Sequence, residues 1–356
     1  MKALFLVLHR NDRSPGQRYR HEQYISFLES NGIICHFSPL LKTKKEDSIF
    51  YGKKVLPKII VGVKALIRRF LSVLKASRFD VVYIYRDAFF FGTFFEKWLR
   101  EKNVRIIYDF DDAIWLMDKN ENQGVFNRLK NPEKTATIAS LADLVIVGND
   151  YLSSYARKFN PNVKIIPSTI DFDQYELTQA NRPSKGVCIG WTGSFSTIKH
   201  FESLLPALIA VKETFKKKIY FKLIGDPTYQ NTELDLQGTK WEATSEASDL
   251  SELAIGIMPL PDNEWTQGKC GMKGLQYMAL GIPTIMSPVG VNKDIIQDGK
   301  NGFLASSKEE WIEKLSLLIE NESLRTQLGE AGRKTVEKKY SVEANKEKWL
   351  QAFTIS

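Results

Sequence analysis

From the first residue, short apolar runs alternate with longer stretches in which apolar side chains return every three or four positions, the pattern of strand–helix units feeding a parallel sheet. Ala3 to Leu8, Ile33 to Phe37, Val81 to Tyr85, Arg105 to Tyr108, Leu144 to Val147 and Val163 to Ile166 read as strands. Gln17 to Asn31, Ala88 to Lys102 and Pro132 to Leu141 read as helices between them. After Pro167 the pattern loosens into a polar stretch, Asp171 to Lys185, containing Asn181, Arg182 and Pro183, which reads as a linker. A second series then begins, with strands at Val187 to Trp191, Tyr220 to Ile224, Ile255 to Met258 and Pro283 to Met286. Helices are expected near Thr197 to Phe215, Lys273 to Leu280, Lys308 to Asn321, Ser323 to Lys338 and Val342 to Phe353. The expected fold class is α/β: two Rossmann-like domains, residues 1–168 and 186–341, joined through 169–185. Two doubly wound sheets present their strand ends, and hence their ligand sites, to one central cleft.

Composition narrows the class. The 356 residues, 43% hydrophobic, suffice for two buried sheets. Cys35, Cys188 and Cys270 are far apart and odd in number, with no zinc-ligand spacing, so a reduced, cytoplasmic protein is expected. The apolar run at the N-terminus meets Arg10, Asp12 and Arg13 too soon for a signal peptide, and Ile59 to Leu66 is broken by Lys64, so no spanning segment is expected.

Charge is unevenly placed. Between Leu41 and Arg78 stand eleven Lys and Arg against Glu46 and Asp47 alone, a local excess larger than the net +8 of the chain. Such a zone attracts a polyanion. Within it Ile59, Val63, Leu66, Phe70 and Leu74 recur at helical spacing, while Lys64, Arg68 and Lys75 share another face. Two readings stay open: a surface helix whose apolar side packs on its own sheet under a solvated basic side, or the same helix resting on acidic lipid headgroups at the inner face of the cell membrane. Nucleic acid is not expected as a partner, because no recognition module or interleaved aromatic and basic pattern accompanies the charge.

Four segments carry candidate chemistry. The first strand runs into His9 to Arg20, where Gly16, Arg18 and neighbouring arginines lead into a helix and offer a seat for an anion, or only a tight turn. The Gly-x-Gly-x-x-Gly fingerprint of dinucleotide enzymes is missing there. The fourth strand ends in Asp109-Phe110-Asp111-Asp112, whose carboxylates repel one another unless something positive relieves them. They suit a catalytic role or a hard cation; alternatively Asp112 caps a helix and Asp109 pairs with an arginine such as Arg86. In the second half, Gly190-Trp191-Thr192-Gly193-Ser194, followed by Lys199, lets a phosphate approach backbone N–H groups. Gln267 to Pro283 adds a glycine-rich loop with Lys269, Gly271, Met272 and Lys273, which enters a helix carrying Gln276 one turn on. A diphosphate on this loop would place Gln276 near an attached ribose.

These residues resemble the nucleotide-sugar site of GT-B glycosyltransferases, above all glycosyltransferase family 4. Ile255 to Leu260, Lys269 to Pro283, Ser287-Pro288-Val289-Gly290 and Asp298 to Leu304 follow in the family's order, and Ile166 to Asp171 is similar to its strand-to-linker motif. The resemblance implies retaining transfer of a sugar from a nucleotide donor, with no cofactor and no required metal. It implies donor binding by Gly193, Ser194, Lys199, Lys269, Gly271, Met272, Lys273 and Gln276. Gly16, Arg18 and Arg86 then lie on the acceptor side, Asp111 or Asp112 approaches the sugar, and the last helix returns to the first domain. A glycan or lipid-linked acceptor, in surface polysaccharide synthesis, is the expected partner. Two family glutamates are replaced by Gly268 and Gln276, and a phosphate-binding arginine by Trp191. A catalytically silent protein that binds nucleotide sugar or partners a transferase, and a nucleotide-sugar epimerase on the same fold, stay open beside the transferase.

Overall fold

A computed structural model describes residues 1–116, 133–175 and 186–354, so Pro132 of the predicted third helix and most of the predicted linker lie outside the described residues. The chain divides into two units: Met1–Ser168 with Lys346–Ser356, and Thr169–Asn345.

The first unit is built on six parallel strands: β1 (Lys2–His9), β2 (Ile34–Leu41), β3 (Val81–Tyr85), β4 (Arg105–Phe110), β5 (Leu144–Val147) and β6 (Val163–Ile165). Their order is β2-β1-β3-β4-β5-β6. All five residues of β3 are buried, which is why its sequence is continuously apolar rather than alternating. β2 extends beyond the expected Phe37 through Pro39, which an edge strand tolerates. The expected helix Gln17 to Asn31 is instead two short helices, Pro15–Arg18 and Ile25–Ser30, around a 3-10 turn at Glu22–Tyr24. The break falls where Arg20 and His21 turn fully into the core.

Three helices of this unit matter below: α1 (Lys44–Phe50), α2 (Val55–Leu74) and α3 (Phe94–Glu101). α3 starts later than Ala88 because Gly92, at φ 61°, ends an aromatic loop first. For α2 the sequence left two readings open, and the structure excludes the one in which the apolar side packs on the sheet. The residues facing the sheet are Val61, Ala65, Arg69 and Val73, while Ile59, Val63, Leu66, Phe70 and Leu74 are exposed. Arg69 can be buried because its guanidinium donates to the Val7 carbonyl (3.1 Å) and the Ser38 hydroxyl (3.2 Å).

The second unit repeats the architecture with β7 (Val187–Thr192), β8 (Ile219–Gly225), β9 (Thr239–Lys240), β10 (Ile255–Met258), β11 (Thr284–Met286) and β12 (Phe303–Leu304), in the order β9-β8-β7-β10-β11-β12. This is the Rossmann strand order, which reverses between β7 and β10. There Gly190 pairs with Gly256, and a Cβ on either would strike Leu253 or the Tyr277 ring within 2.4 Å. The expected helix Thr197 to Phe215 divides into Ile198–Glu202 and Leu205–Phe215, the second starting with Pro206 in its first turn. α4 (Met272–Ala279) follows the glycine-rich loop.

The last helix, α5 (Val342–Thr354), has its C-terminal part in the first unit. Trp349 stacks on Tyr24 (5.0 Å between ring centroids) and Phe353 on Phe5 (5.6 Å), while Arg105 donates to the carbonyls of Phe353 (2.7 Å) and Ala352 (2.9 Å). The arginine satisfies carbonyls that the helix end leaves open.

Candidate functional site

In the first unit the strand order reverses between β1 and β3, and the chemistry gathers at their C-terminal ends. The loop after β1 is closed by Gln17, whose amide pairs with the His9 backbone like another strand: the His9 N–H donates to Oε1 (2.9 Å) and Nε2 donates to the His9 carbonyl (3.0 Å). This brings Gly16 against β3, where a Cβ on Gly16 would lie 2.4 Å from the Tyr85 hydroxyl and 3.4 Å from Asp111 Oδ2.

Arg86, the first residue after β3, relieves the carboxylate cluster. Its Nη2 donates to Asp111 Oδ1 (2.7 Å) and Asp112 Oδ2 (2.7 Å), and its Nε to Asp111 Oδ1 (3.0 Å). The Tyr85 hydroxyl also donates to Asp111 Oδ1 (2.7 Å). Arg86 holds this position at φ 62°, a left-handed conformation that costs a non-glycine residue about 1–3 kcal/mol and is met where function demands it. Gly16, Arg86, Asp111 and Asp112 are thus brought together.

Asp109 stands apart from its two neighbours in the cluster and does not pair with Arg86. It is fully buried, accepts from Arg20 Nη2 (2.6 Å) and Nε (3.2 Å), and also accepts from the Tyr83 hydroxyl. Burial pushes its carboxyl up despite the guanidinium beside it. This pair supports the site from below; removing Arg20 would strand a buried charge at a cost of about 3–5 kcal/mol. Arg18 also departs from expectation: it is buried and donates to the Tyr19 hydroxyl (2.7 Å) beneath the loop. Asp112 caps no helix within the described residues; its carbonyl accepts from the Ile114 N–H (2.7 Å) in a turn.

A second cluster lies at the end of β1. His9 places Nδ1 3.2 Å from Asp47 Oδ1 and Nε2 3.0 Å from the Tyr51 hydroxyl, while Arg10 and Arg13 pair with Asp47 Oδ2. Burial holds the His9 imidazole below its ordinary pKa, against the pull of Asp47. Asp47 and Tyr51, contributed by α1 and its end, gave no sequence signal, because their partner is 38 or more residues away.

In the second unit, Trp191 organises the loop after β7. Its indole is buried, a Cβ on Gly193 would lie 2.4 Å from its ring, and Lys273 Nζ stands 5.5 Å from its centroid. The tryptophan found where the family has an arginine is therefore a platform that joins Gly193 to Lys273. Tyr277 adds a second tie: its buried hydroxyl accepts from the Thr192 N–H (2.8 Å), fixing the loop to α4. Gly271 enters α4 in the left-handed region at φ 69°, where a Cβ would strike Ile295 at 2.3 Å, so only glycine suits this position. Met272 and Lys273 follow as the first helical residues, with N–H groups at the positive end of the helix.

The other predicted donor residues are arranged as follows. Ser194 is exposed, its hydroxyl 3.1 Å from that of Ser196, and next to it Phe195 is 80% exposed. Lys199 is exposed on the five-residue helix Ile198–Glu202. Lys269 rests over the Trp265 ring at 4.9 Å. Gln276 is buried and donates through Nε2 to the Tyr175 hydroxyl (2.9 Å). That hydroxyl donates to Glu246 Oε2 (3.0 Å), and Glu246 Oε1 accepts from Trp241 Nε1 (2.7 Å). Sequence reading missed this chain, since Tyr175 lies 71 residues from Glu246 and 101 from Gln276. Among the described residues, no group of three or more His, Cys, Asp or Glu side chains is arranged to hold a metal ion.

The family described as Glycosyl transferases group 1 matches residues 186–321, most of the second unit. An uncharacterized glycosyltransferase of Methanocaldococcus jannaschii is 31% identical over 160 residues, which are 43% of this chain and 44% of that protein, so the match spans less than half of its length. Among solved structures, sucrose-phosphate synthase from Thermosynechococcus elongatus superposes with a TM-score of 0.73 at 14% identity, covering 99% of this chain and 98% of that one. Anabaena HepE in complex with UDP-glucose superposes at 0.64 with 13% identity, covering 98% of both chains. The two six-stranded parallel sheets, the Rossmann order of the second unit and the glycine-rich entry to α4 agree with these likenesses. Residues 186–321 thus match the Glycosyl transferases group 1 family, and the chain as a whole has the GT-B fold of these solved structures.

Proposed function

We propose that the protein transfers a sugar, with retention of anomeric configuration, from a nucleoside diphosphate donor to a glycan or lipid-linked acceptor in surface polysaccharide synthesis. The reading rests above all on Trp191, whose indole brings the Gly193 loop and the Lys273 ammonium to the mouth of one helix. The donor's diphosphate sits beside Gly193, whose own N–H is taken by the Ile224 carbonyl (3.0 Å), on the N–H groups of Ser194 and of the Gly271–Met272 turn, with Lys273, Lys269 and Lys199 supplying charge. That HepE was solved with UDP-glucose supports a uridine nucleotide as the first donor to try.

In the reaction the bond between the sugar's anomeric carbon and the diphosphate oxygen breaks, and the acceptor oxygen bonds to that carbon on the same face. The acceptor proton passes to the departing phosphate, whose charge is stabilised by the fixed amides and lysines; no metal is required. Asp111 or Asp112, held in place by Arg86, accepts a hydrogen bond from a sugar hydroxyl or orients the acceptor. Gly16 and Arg86 belong to the acceptor side, and Arg18 supports them from beneath.

The test is turnover of a panel of nucleotide sugars, alone and with a membrane extract. Release of nucleoside diphosphate that depends on the extract supports transfer. Conversion of the donor's sugar without any acceptor would identify an epimerase, and binding without turnover in either condition a silent protein.

A further inference from the structure

α2 carries an apolar surface on the side away from its own sheet. Val55, Leu56, Ile59, Ile60, Val63 and Leu66 are between 44% and 70% exposed, and Ile67, Phe70, Leu71 and Leu74 continue the same face to the helix end. At about 100° per residue these ten positions cover an arc of roughly 160°, opposite the arc of Val61, Ala65 and Arg69. Over half of the large hydrophobic side chains exposed among the described residues belong to this one helix. The face does not end with it: Phe70 contacts Trp98 of α3 (5.2 Å between centroids), and Trp98 contacts Phe94 (6.0 Å), itself 66% exposed. A contiguous apolar face of this size, exposed to water, marks a binding surface.

What covers it is read from the charge around it. Lys53 and Lys54 stand exposed at the N-terminal end of α2, Lys64 and Lys75 along one flank, and Arg78 beyond its C-terminal end. A second copy of this chain docked face to face would bring these like charges together. An anionic lipid surface accepts both features, taking the apolar side chains below the headgroups and leaving the lysines among the phosphates. No helix among the described residues is long and apolar enough to cross a membrane, so the contact is interfacial. We infer that the outward face of α2, extended by Phe94, is a monotopic seat that binds the first unit to an acidic bilayer.

The seat is joined to the candidate acceptor side within the same unit. α1 ends at Phe50, four residues ahead of Lys54, and Asp47 and Tyr51 hold His9 at the end of β1. An acceptor anchored in the bilayer would therefore be presented next to the loop that carries Gly16. The membrane seat stands whether or not the sugar-transfer reading does.

The experiment is co-sedimentation of the full chain with vesicles of phosphatidylcholine alone or mixed with phosphatidylglycerol. The compared variants are Leu56→Gln/Ile60→Gln/Ile67→Gln, which removes apolar area at exposed positions, and Lys64→Gln/Lys75→Gln. Circular dichroism and the thermal shift with UDP report folding and the second unit separately. The inference predicts binding that requires the anionic lipid. Partitioning should fall at least about thirtyfold in the triple variant and about fivefold per lysine in the other, with the UDP response unchanged. Equal binding to both vesicles, undiminished binding by the triple variant, or a wild-type dimer that the triple variant dissolves would overturn it. Loss of the UDP response with vesicle binding intact would count against the donor site alone.

Discussion

Gly16 gives the sharpest perturbation of the acceptor-side cluster, because one methyl group meets one hydroxyl. In Gly16→Ala the new Cβ would lie 2.4 Å from the Tyr85 hydroxyl, while the next ring atom, Cζ, is at an ordinary 3.5 Å. Tyr85 is nearly buried and donates to Asp111, so its ring must shift and that charge-assisted bond lengthens. Overpacking costs about 1–3 kcal/mol and the bond to a carboxylate about 1.5–3 kcal/mol. Replacing glycine in the short helix returns about 0.5–1 kcal/mol. The expected net loss is about 1.5–5.5 kcal/mol, measured as a lower urea midpoint, with transfer reduced and nucleotide binding unchanged. Tyr85→Phe removes only the clashing atom and leaves Asp111 with Arg86, at the cost of that one bond, about 1.5–3 kcal/mol. Gly16→Ala/Tyr85→Phe should then be more stable than Gly16→Ala alone, a coupling that a double-mutant cycle reads directly. Additive losses in the double variant would refute this packing.

Three further outcomes follow. Asp111→Asn and Asp112→Asn should leave donor binding intact while at least one loses transfer by about a hundredfold or more; full activity in both removes these carboxylates from the mechanism. Tyr277→Phe leaves the Thr192 N–H buried without its acceptor, costing about 1–3 kcal/mol; a weaker UDP response should accompany the stability loss, and unchanged values of both would show that the tie between β7 and α4 is idle. Burial among aromatic rings holds His21 near a pKa of about 3, with the Arg20 charge adding to the effect. Because the unfolded chain binds this proton from about pH 6.5 downward and the folded one does not, its contribution is full above that pH and is lost on acidification toward pH 3 at up to about 1.4 kcal/mol per pH unit. His21→Phe should flatten that slope in urea midpoints, and an unaltered slope would place the acid sensitivity elsewhere.

The strands were legible because they are buried on both faces and therefore continuously apolar, as Val81–Tyr85 shows. The glycine-rich entry to α4 was legible because its glycines are demanded locally, by the positive φ of Gly271 and the close approach at Gly274. Partnerships across the sheet were not. Arg20 reaches Asp109 from 89 residues away, so the nearer Arg86 was the reasonable guess, and only the tertiary structure separates Asp109 from Asp111 and Asp112. Periodicity found the amphipathic character of α2 but could not choose which side faces the sheet. The helix buries Arg69 instead, because Val7 and Ser38 offer hydrogen bonds that no helical wheel displays. Gln276 was placed by motif alone, and its bond to Tyr175 depends on a segment that reads as featureless linker.

The central claim is that the second unit holds a nucleoside diphosphate on the Gly193 loop and the Gly271–Lys273 turn. Thermal shift of the full chain against a panel of nucleoside diphosphates and their sugars, with Lys273→Ala alongside, tests it most directly. At least one nucleotide should raise the wild-type melting temperature and leave the variant unmoved at the same concentration. Equal stabilisation of both proteins would mean that the diphosphate binds elsewhere.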